Sequence, residues 1–109
     1  MRIFLSGLMG SGKSTLARAL AGQSGLARFD TDELITRETG QSVTELFRAR
    51  GEEEFRAIEA RVIEGLIERE PAGVVALGGG AVTQRALRRK LLRSGCLVTL
   101  DAPSAVLAG

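Results

Sequence analysis

The sequence predicts an α/β domain built on a parallel sheet, and three observations carry that prediction. Short apolar runs alternate with stretches of helical periodicity about ten or more residues long, the order expected of βαβ units with right-handed crossovers. A glycine-rich loop lies between the first apolar run and the first helix. A second glycine cluster closes the later run Val74-Val75-Ala76-Leu77-Gly78-Gly79-Gly80. With no linker, repeat or low-complexity segment in 109 residues, the whole chain, 1–109, reads as one domain.

Residues 2–6, "RIFLS", form the first strand, and "KSTLARALAGQSG" the helix after the loop, with Leu16, Ala17, Leu20 and Ala21 as its apolar stripe. "ARFDTDELI" is a short strand running into a helix, where Asp30 and Glu33 have capping spacing and Gly40 can stop the helix. Ser42 and Glu45 have capping-box spacing for the next helix, with Val43, Leu46 and Phe47 on one face. Gly51 breaks the pattern, and "EEEFRAIEARVIEGLIERE" resumes it with Phe55, Ile58, Val62 and Leu66 as the apolar stripe. Acidic residues in its first turn suit the helix dipole. Pro71 and Gly73 precede the strand "VVAL"; "TQRALRRKLLRSG" is a further helix and "CLVTL" the fourth strand.

Composition narrows the function classes. Apolar residues at 44% and charged residues at 26% suit a water-soluble globular protein. No apolar run approaches the roughly 18–20 residues of a membrane span, and the interrupted N-terminal run reads as a strand, not a targeting segment. A lone cysteine, Cys96, rules out an internal disulfide framework and is expected as a small buried hydrophobe, which points to the cytoplasm. Net charge is only +2, and the cations of "QRALRRKLLRSG" accompany helically spaced leucines without aromatics. The stretch is expected to be a solvated helix face, so neither nucleic acid nor membrane is an expected partner.

The chemistry begins at Gly7-Leu8-Met9-Gly10-Ser11-Gly12-Lys13-Ser14, which satisfies G-x-x-x-x-G-K-[ST]. Its backbone N–H groups can cradle phosphate oxygens, Lys13 can reach the β- and γ-phosphates, and the Ser14 hydroxyl can ligate Mg²⁺. Asp30-Thr31-Asp32 follows the second strand. If the chain stays extended there, both carboxylates face the strands' C-terminal edge, where one could hold a metal-bound water and the other accept a hydrogen bond from an attacking hydroxyl. The alternative is that Asp30 merely caps the helix and Asp32 is solvated, and spacing does not choose between these. Arg56 emerges beside the apolar stripe, where Glu59 could steady it, and a guanidinium so held suits a substrate carboxylate; an ordinary surface arginine is the alternative. The run Gly78-Gly79-Gly80 lets backbone meet a ligand directly, or else makes a bulge.

Together "GLMGSGKST", "FDTDELI", "GQSVTELFRARGEEEFRAIE" and "ALGGGAV" resemble shikimate kinase in order and spacing, from residue 3 to about residue 103. The resemblance implies a nucleoside-monophosphate-kinase-like fold: a three-layer α/β/α P-loop kinase with about four of its five parallel strands in these residues. It implies transfer of the γ-phosphate of ATP to the 3-hydroxyl of shikimate. It also implies that Gly10, Ser11, Gly12, Lys13, Ser14 and Thr15 hold ATP, and that Ser14 and Asp30 serve Mg²⁺, Asp30 through water. Asp32 binds the shikimate hydroxyls and is the candidate base, with Lys13 the other catalytic residue. Arg56 grips the carboxylate, and Gly78, Gly79 and Gly80 line the substrate site. Family members continue into an arginine-bearing lid, a fifth strand and a final helix, so the chain is expected to be a C-terminally incomplete domain. Such a piece is expected to turn over poorly alone, because lid arginines stabilise transferring phosphate. Its uncovered sheet edge is expected to favour marginal stability or self-association, whereas the full-length protein is expected to be monomeric. A related small-molecule kinase such as a gluconate kinase is the first rival, though "GEEEFR" and "GGG" argue against it. A non-catalytic nucleotide-binding module is the second.

Overall fold

A computed structural model describes residues 1–7, 11–78 and 80–100, with the backbone alone at 11, 12, 14 and 100. The chain runs β1 (Arg2–Gly7), α1 (Ser11–Ser24), β2 (Arg28–Asp30), α2 (Thr31–Thr39), α3 (Val43–Arg69), β3 (Gly73–Ala76), a 3₁₀ turn (Ala81–Thr83), α4 (Arg85–Ser94) and β4 (Cys96–Leu100). All strand pairs are parallel, in the order β2-β3-β1-β4. Parallel neighbours need crossover connections, and the helices supply them on both faces of the sheet.

Strand alternation sorts the core. Phe4 and Val75 point to one face, where they join Ile63, Leu66 and Ile67 of α3 and Leu87 and Leu91 of α4. Their chain neighbours Leu5, Val74 and Ala76 point to the other, against Ala17 of α1. The result is the expected three-layer α/β/α arrangement, with strands apolar on both sides. A third cluster of Ile35, Leu46, Phe55 and Val62 fastens α2 to α3.

Local signals set the helix ends. Asp30 Oδ1 accepts from the N–H groups of Asp32 and Glu33, so Asp30 caps α2, and Gly40 ends it. Ser42 and Glu45 form both halves of a capping box at the start of α3. Gly51, at φ 84° and ψ 170°, divides α3 into two helical segments, since an L side chain is strained at that φ. At the far edge of the sheet Arg2 donates three hydrogen bonds to main-chain carbonyls: Ile67 at 2.8 Å, Glu70 at 2.9 Å and Ser94 at 3.0 Å. These carbonyls lie at the C-terminal ends of α3 and α4, where helical partners run out.

The structure corrects four expectations. The chain is not extended through Asp30-Thr31-Asp32: β2 stops at Asp30, because the cap turns the chain and Thr31 already begins α2. Cys96 is exposed, since it opens β4, which stands at the edge of the described sheet and pairs with β1 alone. Phe47 shares the ring contact of Phe55 at 5.5 Å between centroids, yet remains 38% exposed. The segment from Thr83 is not one helix, because a 3₁₀ turn ends at Thr83 and α4 starts only at Arg85. Within α4, Leu87 and Leu91 are buried while Arg85, Arg88, Arg89 and Arg93 are exposed, the solvated basic face expected. Among the described residues no helix is long and apolar enough to cross a membrane.

Ser42→Ala removes one half of the capping box and is expected to lower stability by about 1 kcal/mol. Urea unfolding followed by circular dichroism should show a lower midpoint with an unchanged slope.

Candidate active site

The order β2-β3-β1 brings the C-terminal ends of three strands side by side, and each leads into a segment carrying a predicted site residue. From β1 the chain passes to α1, whose first turn holds Lys13. Lys13 is only 8% exposed, and its Nζ donates to the Leu77 carbonyl at 2.6 Å, just past the end of β3. From β2 the chain turns at once into α2. Fully buried Thr31 accepts at Oγ1 from Gly78 N–H at 2.9 Å, which ties the end of β3 to the start of α2.

Asp32, one residue on, is half-buried beside this junction. Burial first, and then the charge of Asp30, push its carboxyl above the usual carboxylate range, while Lys13 pulls the other way. Asp32 therefore feels both Asp30 and Lys13, through a helix turn and not through strand alternation.

Arg56 and Glu59 close the site from α3. Glu59 is 1% exposed, and Arg56 Nη1 donates to its Oε1 at 3.0 Å. The Arg56 side chain is 24% exposed, lies 5.3 Å over the Phe55 ring, and has a second, looser partner in Glu52 at 3.8 Å. Burial raises the Glu59 carboxyl above its usual range. Arg56 opposes that rise, and Asp32 adds to it.

The glycines now have a physical reason. A Cβ built on Gly78 would sit 2.8 Å from Asp32 Oδ1 and 2.9 Å from Glu59 Oε2, and one on Gly80 would run into the Arg56 guanidinium. Both positions must lack side chains for the acids and the guanidinium to stand where they do. Asp32 and Glu59 thus crowd Gly78 and Arg56 crowds Gly80, with Lys13 bound to the residue before Gly78.

Of the remaining predicted residues, Thr15 is exposed on α1, and Ser11, Gly12 and Ser14 lie in its first turn. Gly10 and Gly79 lie outside the described residues. Sequence reasoning missed Thr31 and Gln84, whose Nε2 donates to Glu59 Oε1 at 3.1 Å. It saw Glu59 only as a support for Arg56. A glutamate four residues after Phe55, and so in line with the apolar stripe, was the available signal.

Known proteins share this chain's sequence pattern and fold. A family model described as shikimate kinase matches residues 9–109. The shikimate kinase of Rhizobium leguminosarum bv. trifolii is 43% identical over 105 residues, covering 96% of this chain and 53% of that protein. That of Halorhodospira halophila is 49% identical, covering 96% and 59%. Among solved structures, shikimate kinase from Acinetobacter baumannii in complex with shikimate superposes with a TM-score of 0.86 at 39% identity, over 95% of this chain and 57% of that one. Shikimate kinase from Aquifex aeolicus gives 0.86 at 32% identity, over 98% and 63%. The chain thus spans between half and two thirds of the length of these relatives.

A carboxyl raised by burial binds its proton more tightly in the folded state. The resulting contribution favours the fold below about pH 4 and is lost as pH climbs from there through the raised folded value. Asp32→Asn should therefore be more stable than wild type at pH 7, with the gap closing toward pH 4. Urea midpoints of both proteins across that range check it.

Proposed function

The chain belongs to the shikimate kinase family, and on that premise we propose that it supplies the phosphate-binding, acidic and carboxylate-binding parts of an enzyme that phosphorylates the 3-hydroxyl of shikimate with ATP. The observation that carries the reading is the meeting of Lys13, Asp32 and the Arg56–Glu59 pair around Gly78 and Gly80. It provides a cation for phosphate, a proton acceptor, and a guanidinium for an acid, within one site. That the relative from Acinetobacter baumannii is described in complex with shikimate supports this choice of acid.

In the proposed reaction, residues 10–15 cradle ATP, with the N-terminus of α1 adding positive potential. Lys13 Nζ exchanges the Leu77 carbonyl for the β- and γ-phosphate oxygens. Arg56 binds the substrate carboxylate, and Gly78–Gly80 admit the ring against main chain. The 3-hydroxyl oxygen attacks the γ-phosphorus in line as the bond to the β–γ bridging oxygen breaks, and Asp32 takes the hydroxyl proton. Its raised affinity for a proton suits that task at neutral pH.

Mg²⁺ fits the donors present. Among the described residues no group of three or more acidic, histidine or cysteine side chains could enclose a metal. The cap of α2 uses only Oδ1 of Asp30, leaving Oδ2 for a bound water. So sparse a set suits an ion that keeps its waters and binds mainly through phosphate, with Ser14 and Asp30 as its protein contacts. When bound it would neutralise phosphate charge. The cytoplasm, where ATP is abundant, is the proposed setting.

Calorimetry and a coupled ADP-release assay test the assignment. Lys13→Ala should abolish ATP binding. Asp32→Asn should keep ATP affinity but lose about 10²-fold or more in kcat. Arg56→Ala should raise the shikimate KM roughly ten-fold or more while leaving the ATP KM in place, because the carboxylate contact is made in ground and transition states alike. Equal loss of ATP affinity in the Lys13 and Asp32 variants, or preference for gluconate over shikimate, would overturn it.

A further inference from the structure

Gln84 occupies the N-cap position of α4, yet its side chain makes no hydrogen bond to that helix. Serine, threonine, asparagine or aspartate would normally satisfy the free N–H groups there. Gln84 instead sends its amide across to α3, where Nε2 donates to Glu59 Oε1 at 3.1 Å. The same oxygen receives Arg56 Nη1 at 3.0 Å.

We propose that Gln84 is a positioning residue of the acid-binding pocket: its amide fixes the buried Glu59 carboxylate, and through it aims the Arg56 guanidinium at the substrate carboxylate. The proposal rests on the reading of Arg56 as the carboxylate ligand. Two donors from different elements converge on one oxygen, so the carboxylate cannot turn about its own axis without breaking at least one bond. Arg56 also has an alternative partner. Glu52 lies one turn back on α3 at 3.8 Å and is 70% exposed, so an untethered guanidinium has somewhere outside the pocket to go. The backbone of Gln84 is itself held, with its N–H on the Ala81 carbonyl at 3.3 Å and its carbonyl receiving Arg88 N–H at 2.8 Å. Ala81 N–H in turn bonds the Gly78 carbonyl at 3.2 Å, which links Gly78 to the tether.

The charged groups acting on Glu59 are Arg56 on its own helix and Asp32 from α2, with the neutral Gln84 amide on the third side. Arg56 and Gln84 favour the ionised carboxylate, whereas Asp32 and burial disfavour it.

Gln84→Met keeps most of the volume and removes the amide. Calorimetry should show shikimate binding weakened roughly five-fold with ATP affinity unchanged, and steady-state kinetics a raised shikimate KM with kcat retained. Gln84→Glu, which sets a third carboxylate against Glu59, should lose more. Unchanged shikimate affinity in Gln84→Met, or equal losses toward ATP and shikimate, would overturn the proposal. A ligand-free readout separates this from the choice of substrate. The Glu59 carboxyl titration, followed by ¹³C NMR, should move to higher pH in Gln84→Met, because a donor to the ionised form is gone. A wild-type chain that ignores shikimate would defeat the substrate assignment, whereas a Glu59 midpoint unmoved by Gln84→Met would defeat the tether.

Discussion

A carboxylate almost wholly removed from water cannot remain charged without a cation against it, and Glu59 has Arg56. Desolvation of such an ion costs several kcal/mol, and stripping away its partner typically costs about 3–5 kcal/mol. The fold around the third strand's end is arranged to keep the pair intact. Phe55 anchors α3 one residue before Arg56 and lies beneath its guanidinium. Gly80 leaves the volume into which that guanidinium extends, and Gly78 leaves the gap between Glu59 and Asp32. A charge pair that would be a poor source of stability by itself is thus a source of position. It holds a planar cation, three-quarters buried, at the mouth of a site otherwise rich in acids.

Sheet order does the rest. Because β3 lies between β2 and β1, the acids at the start of α2 and the lysine at the start of α1 flank the same strand end. Lys13 reaches the Leu77 carbonyl from one side, and Thr31 holds Gly78 N–H from the other. Two adjacent peptide groups beyond β3 are therefore claimed by two different helices. Any ligand that displaces Lys13 from Leu77 changes the surroundings of the glycine next to it, since Lys13 and Thr31 hold adjacent peptide groups.

Much of this was legible in the sequence, where signals are local. The Ser42–Glu45 box and the Gly40 and Gly51 breaks each depend on residues within a few positions of one another, and each has its expected effect on the described chain. Local chemistry also explains a failure. Asp30 both ends β2 and caps α2, so Asp32 enters the site by a helical turn and not along an extended strand. What could not be read is what spans the chain. Gln84 and Glu59 are 25 positions apart, and Thr31 and Gly78 are 47 apart. Neither pair has a spacing rule, because the sheet alone makes them neighbours. Cys96 failed for the same reason, since composition suggests a buried thiol and only the strand order reveals an edge.

Arg2 lies at the foot of β1, at the opposite end of the strand from Gly7. By gathering carbonyls from the C-terminal ends of two helices, it moors α3 and α4 to the sheet at the end opposite Lys13 and Asp32. The two rims of the sheet therefore have separate duties, one as anchorage and the other as workbench. Damage to the mooring would register in unfolding measurements well before it reached affinity, and the helices could shift at their chemical ends while staying berthed at the opposite one.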